Sequence, residues 1–245
     1  MLKYRNPLAK LSGLAVAALL AMGTSRANAL AIWNGITPAP NDSTSWAGLG
    51  ADGATIPKTF SATSTLGISV SGSFAGSGGL VAVQCPTAPS CSWTGGFPAG
   101  DHLIWAFDNT NTVGTGPLTL SLGTAVLAGG LQIQADAPGA FTAQVQAFNG
   151  GMSLGTESLA SDMAGDPIFI GTKDTIADIT SLVFVLTACT GTGCDLNDFA
   201  VDTLRTVDQV VPAPSIGFGL PAFLAVGGLL LGFGLYGRRW RGALA

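Results

Sequence analysis

The stretch from Leu131 to Phe148 reads LQIQADAPGAFTAQVQAF. Leu131 and Ile133 alternate with Gln132 and Gln134, and Phe141, Ala143, Val145 and Ala147 alternate with Thr142, Gln144 and Gln146. Side chains of a strand point to opposite faces in turn, so each half predicts a half-buried antiparallel strand. Between them Asp136-Ala137-Pro138-Gly139 supplies turn chemistry.

The same period recurs on both sides. Leu66, Ile68 and Val70 alternate with serines and glycine, and Leu118, Leu120 and Leu122 with Thr119 and Ser121. Four segments, LVAVQC, HLIWAF, PIFIG and SLVFVLTAC, are more continuously apolar and predict central strands. Asn149-Gly150-Gly151 predicts a hairpin turn. No segment of the middle of the chain has helical period, and turn residues recur at short intervals. The expectation is an all-β, antiparallel β-sandwich of jelly-roll type.

The two ends read differently. Lys3, Arg5 and Lys10 precede the apolar run Leu11–Met22, and Ala27-Asn28-Ala29 is a small-x-small site. Residues 1–29 therefore predict a helical secretory signal peptide. At the other end Ile216–Tyr236 carries no charge and spans roughly 30 Å as a helix, a single bilayer crossing. Arg238, Arg239 and Arg241 follow it and predict a cytoplasmic C-terminus. The domains expected are 1–29, an exported β-sandwich over 30–210, and a tail over 211–245.

Between the ends lie only three basic residues, Lys58, Lys173 and Arg205, against all 14 acidic ones, a net charge of −11. Such a surface repels nucleic acid, which excludes it as a partner. The cysteines fall in two close pairs. Four cysteines allow three connectivities, of which Cys85–Cys91 and Cys189–Cys194 close the shortest loops at least entropic cost. A zinc site is the competing reading, with unsuited spacings and only His102 as a histidine.

Catalytic signatures such as G-x-S-x-G, H-E-x-x-H and a Walker loop are missing from the sequence. The expectation is a protein that is not an enzyme. Trp46 and Trp93 stand in polar surroundings, STSWAG and CSWTGG, and could form an exposed glycan-stacking platform or belong to the core. The segment DLNDFAVD offers oxygen ligands at Asp195, Asn197, Asp198 and Asp202 without EF-hand spacing.

Val211-Pro212-Ala213-Pro214, an apolar helix and an arginine cluster together resemble the PEP-CTERM sorting signals of Gram-negative bacteria. Ala213 stands where that family usually has Glu. The resemblance implies an exosortase-like processing enzyme as partner, a transient stop in the inner membrane, and delivery to the cell surface or an extracellular polysaccharide matrix. The stretches LQIQADAPGAFTAQVQAF, PIFIGTKDT, ADITSLVFVL and DFAVDTLRT resemble carbohydrate-binding-module-like jelly rolls that precede such signals. That resemblance implies a structural Ca²⁺ where first and last strands meet, with Asn34, Asp42, Asp198 and Asp202 as the residues here. The functional expectation is a structural or adhesive, glycan-associated exported protein. The alternatives are a dedicated carbohydrate-binding module or a glycan hydrolase using two carboxylates.

Overall fold

The computed structural model describes residues 30–76, 79–84, 96–107 and 115–208. The signal segment, the tail with its sorting motif and arginines, and Cys85, Cys91 and Trp93 lie outside them. Among the described residues no helix is long and apolar enough to cross a membrane.

Among the described residues fourteen strands follow in chain order: β1 (Ala31–Trp33), β2 (Asp42–Thr44), β3 (Thr59–Thr63), β4 (Ser69–Phe74), β5 (Gly79–Gln84), β6 (His102–Phe107), β7 (Leu118–Val126), β8 (Ala128–Ala135), β9 (Phe141–Asn149), β10 (Met152–Ala160), β11 (Ile168–Lys173), β12 (Ile179–Cys189), β13 (Phe199–Val201) and β14 (Leu204–Val207). They form two antiparallel sheets, the β-sandwich expected. One runs β10-β9-β12-β7-β4-β3. The other runs β1-β11-β8-β13-β6-β5, with β14 pairing both β8 and β2. The two halves of the stretch that opens the sequence reading part company here. Asp136–Gly139 carries the chain from β8 in one sheet to β9 in the other.

The interior is filled from both sheets. Val70, Leu118, Leu120, Val145, Leu182 and Phe184 of the six-stranded sheet meet Ile104, Leu131, Ile133, Ile170 and Phe199 of the eight-stranded one in one continuous cluster. The six-stranded sheet buries one face only. β9 reads buried–intermediate in strict alternation, with Gln144 and Gln146 turned outward. The eight-stranded sheet is also covered on its outer side. Phe97 packs there with Leu103 and Ala200, and Trp33 packs with Ala128 and Val207.

That second covering corrects part of the sequence reading. Gln134, expected on a solvated face, is 2% exposed. Its amide Nε2 donates to the Gly165 carbonyl at 2.8 Å, which gives that buried donor a partner under the covering loop. Leu66 and Ile68 lie in the turn before β4 rather than in it, and Leu66 is 56% exposed. From the segment LVAVQC, residues 80–84 lie in β5, which among the described strands is an edge strand and not a central one.

The edge strand β10 is blunted against further pairing. Its ladder with β9 is interrupted by a bulge between Ser153 and Gly155, a common protection of exposed edges. In the described region Cys189 is bonded to Cys194 with a Cα separation of 6.2 Å, as the short-loop reading expects. The bridge ties the end of β12 to the loop that leads into β13.

Candidate functional site

An open cleft of about 420 Å³ lies where β2 meets β14. Asp42, Asp101, Asp202 and Arg205 line it together with Asn41, Ser43, Thr65 and Thr203. Four separate pieces of chain bring these groups together. Asp42 opens β2 and pairs in register with Thr206 of β14. Asp202 sits in the two-residue link between β13 and β14. Asp101 closes a turn, its amide donating to the Pro98 carbonyl at 3.2 Å, immediately before β6. Arg205 projects from β14, its guanidinium carbon 5.9 Å from the centre of the Phe169 ring.

Asp42 acts as a tie between loops. Its Oδ1 accepts from the amides of Ser43 at 2.8 Å and Leu66 at 2.9 Å and from the Thr65 hydroxyl at 2.6 Å. Burial pushes its carboxyl up, but hydrogen bonds from Ser64, Thr65, Leu66 and Ser43 outweigh it and hold the group below its usual range.

Asp101 behaves in the opposite way. Burial, then the charge of Asp202 and direct hydrogen-bonding contact with it, push the Asp101 carboxyl up to about 6, with Arg205 acting the other way. Asp202 is 2% exposed. Its backbone is locked: its amide donates to the Gln132 carbonyl at 3.0 Å, and its carbonyl accepts from the Trp46 indole at 2.7 Å. Its side chain is not. Asp202 Oδ1 and Asp101 Oδ2 are both buried without a hydrogen-bond donor. Two carboxyls in contact repel unless they share a proton or a cation. Oxygen-only surroundings suit a hard cation such as Ca²⁺, which also takes backbone carbonyls as ligands. Among the described residues no three His, Cys, Asp or Glu side chains converge on one point. A cation held by Asp101 and Asp202 would therefore need carbonyl or water oxygens for its remaining positions.

Of the four residues expected to hold calcium, the structure brings Asp42 and Asp202 into one cleft and leaves two outside it. Asn34 is exposed after β1, where its Oδ1 accepts the Ile36 amide at 3.1 Å. Asp198 stands at the far end of β13 from Asp202, roughly 13 Å away along an extended strand. There its amide donates to the Asp195 carbonyl and its own carbonyl accepts from Asp136. Asp101 was not foreseen. Its signal was faint: GDH before an apolar strand drew attention to His102 rather than to the neighbouring carboxylate.

Trp46 does not present an exposed platform. It is 1% exposed, and its ring meets Phe60 edge-on at 5.8 Å between centroids. With its indole N–H bonded to Asp202, it belongs to the core, the other of the two readings its surroundings allowed.

No protein-family model and no curated protein sequence matches the chain. Among solved structures, a DUF4465 family protein from Bacteroides caccae is 13% identical, over 67% of this chain and 98% of that one, with a TM-score of 0.40. A glycoside hydrolase family 43 arabinoxylan arabinofuranohydrolase from Bacillus subtilis, in complex with cellotetraose, is 20% identical over 56% of this chain, with a TM-score of 0.29. The match spans only 26% of that enzyme's length. Likenesses this loose leave the function to be argued from the chain itself.

Proposed function

We propose that this chain is an exported, non-enzymatic β-sandwich of jelly-roll type with a structural or adhesive, glycan-associated role in the envelope or extracellular matrix. Its tail, Val211 to Arg241, is the sorting signal that an exosortase-like enzyme processes at the inner membrane. The compartment reading draws support from the Cys189–Cys194 bond, since disulfides persist in oxidising environments.

The observation that carries the non-enzymatic reading is the contact between Asp101 and Asp202. A glycan hydrolase needs its carboxyls apart, roughly 5–5.5 Å in retaining and 6.5–9.5 Å in inverting enzymes, with a sugar between them. Two carboxyls in hydrogen-bonding contact leave no such room. They suit a structural cation joining the turn before β6 to the β13–β14 link.

Thermal melting of the full chain tests this, first with chelator and then with millimolar Ca²⁺. Bound calcium raises the melting temperature by mass action, by several degrees when the ion is in large excess over its dissociation constant. Asp202→Asn abolishes the rise, and Asn34→Ala leaves it intact. A calcium response unchanged in Asp202→Asn, or none in the wild type, removes the cation from this cleft.

A further inference from the structure

The sequence holds two Asn-Gly steps, Asn34-Gly35 after β1 and Asn149-Gly150 at the end of β9. Glycine sets no side chain beside its own amide nitrogen, so that nitrogen can approach the carboxamide carbon of the asparagine before it. Both asparagines are exposed, and both glycines have positive φ, 75° at Gly35 and 57° at Gly150. The two steps differ in which group is held. At Asn149 it is the nitrogen: the Gly150 amide donates to the Thr180 hydroxyl of β12 at 2.7 Å. That hydroxyl donates in turn to the Phe148 carbonyl at 3.1 Å, so its lone pairs stay turned to the amide. Asn149 itself is held in the ladder, in register with Met152. At Asn34 the arrangement is reversed. The Gly35 amide makes no hydrogen bond among the described residues. The held group is the carboxamide, whose Oδ1 accepts the Ile36 amide at 3.1 Å. Such an Asx turn folds the side chain back along the Asn34–Gly35 peptide. The fold requires glycine here, because a Cβ at residue 35 would stand 3.1 Å from the Phe169 ring on a backbone that side chains rarely adopt.

We infer that Asn34 is a site of spontaneous covalent modification, deamidating to aspartate and isoaspartate, and that Thr180 holds the same reaction off at Asn149. The Gly35 nitrogen gives up its proton and attacks Asn34 Cγ. A new C–N bond forms, the Cγ–Nδ2 bond breaks, and Nδ2 takes a proton and leaves as ammonia. The product is a five-membered succinimide, which water then opens. Breaking the new Cγ–N bond leaves aspartate in an unchanged backbone. Breaking the original peptide C–N bond leaves isoaspartate, with one more carbon in the backbone. No oxidant or reductant enters. Negative charge gathers on Oδ1 in the tetrahedral intermediate, where the Ile36 N–H already points, and a donor aimed at developing charge lowers the barrier to such a step. At Asn149 the tied group is the nucleophile. Attack there requires the Gly150 amide to leave Thr180 and turn out of the hairpin, and the lost hydrogen bond adds to the barrier. Either product adds a negative charge to the loop after β1.

Ageing of the full chain in mild detergent and mildly alkaline buffer tests this, with peptide mapping by mass spectrometry at intervals and aspartate and isoaspartate forms resolved by chromatography. In the folded protein Asn34 should convert faster than Asn149 by roughly fivefold or more, the factor that one hydrogen bond is worth. In urea, where neither turn exists, the two rates should converge. Thr180→Val removes the hydroxyl at nearly constant shape and should speed conversion at Asn149 by about the same factor while leaving Asn34 as it was. Thr180→Ser keeps the hydroxyl and should protect Asn149 as the wild type does. The comparison of folded protein with urea needs no variant, so it decides even where Thr180→Val does not fold. A folded protein in which Asn149 converts as fast as Asn34, or in which Asn34 stays intact while the urea sample converts, overturns the assignment of Asn34. A folded Thr180→Val protein whose Asn149 is no faster than in the wild type overturns the role of Thr180.

Discussion

The eight-stranded sheet buries apolar residues on both faces, and the six-stranded sheet on one. In β6, Leu103 and Ile104 are both fully buried although they point to opposite sides. Ile104 enters the interior, and Leu103 lies under Phe97. In β9 the residues between the buried ones are Thr142, Gln144 and Gln146, and Phe148 follows half-buried on the same outer side. The difference follows from the loops. Long connections fold back over the eight-stranded sheet and bring polar chain ends and carboxylates with them, so its rim carries the acidic cleft. In the six-stranded sheet only β3–β4 and β9–β10 are hairpin neighbours, but no loop covers the outward side chains of β9, which stay at least partly exposed. One sheet of this sandwich has the charge, and the other has the open plane.

Breaking the joint between the sheets should have the largest effect. Trp46 spans them, its indole N–H on the Asp202 carbonyl and its ring against Phe60 of β3. Trp46→Ala removes a fully buried ring and leaves that carbonyl without its donor. Large aromatic truncations cost about 3–5 kcal/mol, and the unmet acceptor adds to it. Urea unfolding should show the midpoint fall steeply. Trp46→Phe keeps most of the ring and should lose far less, which separates packing from the hydrogen bond.

The cleft gives a smaller and pH-dependent effect. Burial first and Asp202 second push the Asp101 carboxyl up from the usual 3.8 to about 6. The folded state therefore holds a proton that the unfolded chain releases near 3.8. Stability from this group is present below that value and is lost as pH rises through about 6. In chelator, the wild-type melting temperature should fall relative to Asp101→Asn across that window. Calcium should cancel the difference above pH 6, because a cation then replaces the proton. Parallel melting curves for wild type and variant would mean that Asp101 is ordinary in solution.

The sequence disclosed the two sheets unequally for the same reason. Strict alternation in β4, β7 and β9 can be read because one face meets water, and the residues 118–122 and 141–147 point as expected. In β8 the alternation of Leu131, Gln132, Ile133 and Gln134 suggested a solvated face. The structure closes it with a loop from residues 162–166, far away in the chain, and buries Gln134 through one hydrogen bond. The cleft was half legible. The resemblance to jelly-roll modules pointed to Asp42 and Asp202, near the first and last strands. Asp101 joins them only through the crossing of β6 beside β13, a long-range pairing that no local pattern announces. Trp46 left two readings open because flanking Ser, Thr and Gly describe the backbone's turn, not the side chain's direction.

The smallest expected effect sharpens the comparison most. Ser121 is exposed on the outer face of the six-stranded sheet, between Ser71 of β4 and Ser181 of β12. If the absence of charge there served folding, Ser121→Glu would destabilise the sheet. Physical reasoning says otherwise. A single carboxylate on a solvated strand meets no like charge across either ladder, since both neighbours are serine, and it displaces no buried group. Substitutions of this kind usually fall within about 0.5 kcal/mol of the parent. For a domain of this size that is a shift of roughly 1–2 °C in melting temperature. Differential scanning calorimetry of Ser121→Glu against the parent measures it directly. A shift inside that range means that stability does not require the neutrality of the face, which leaves its surface chemistry as the reason for it. A loss of several degrees would instead place the reason in the fold.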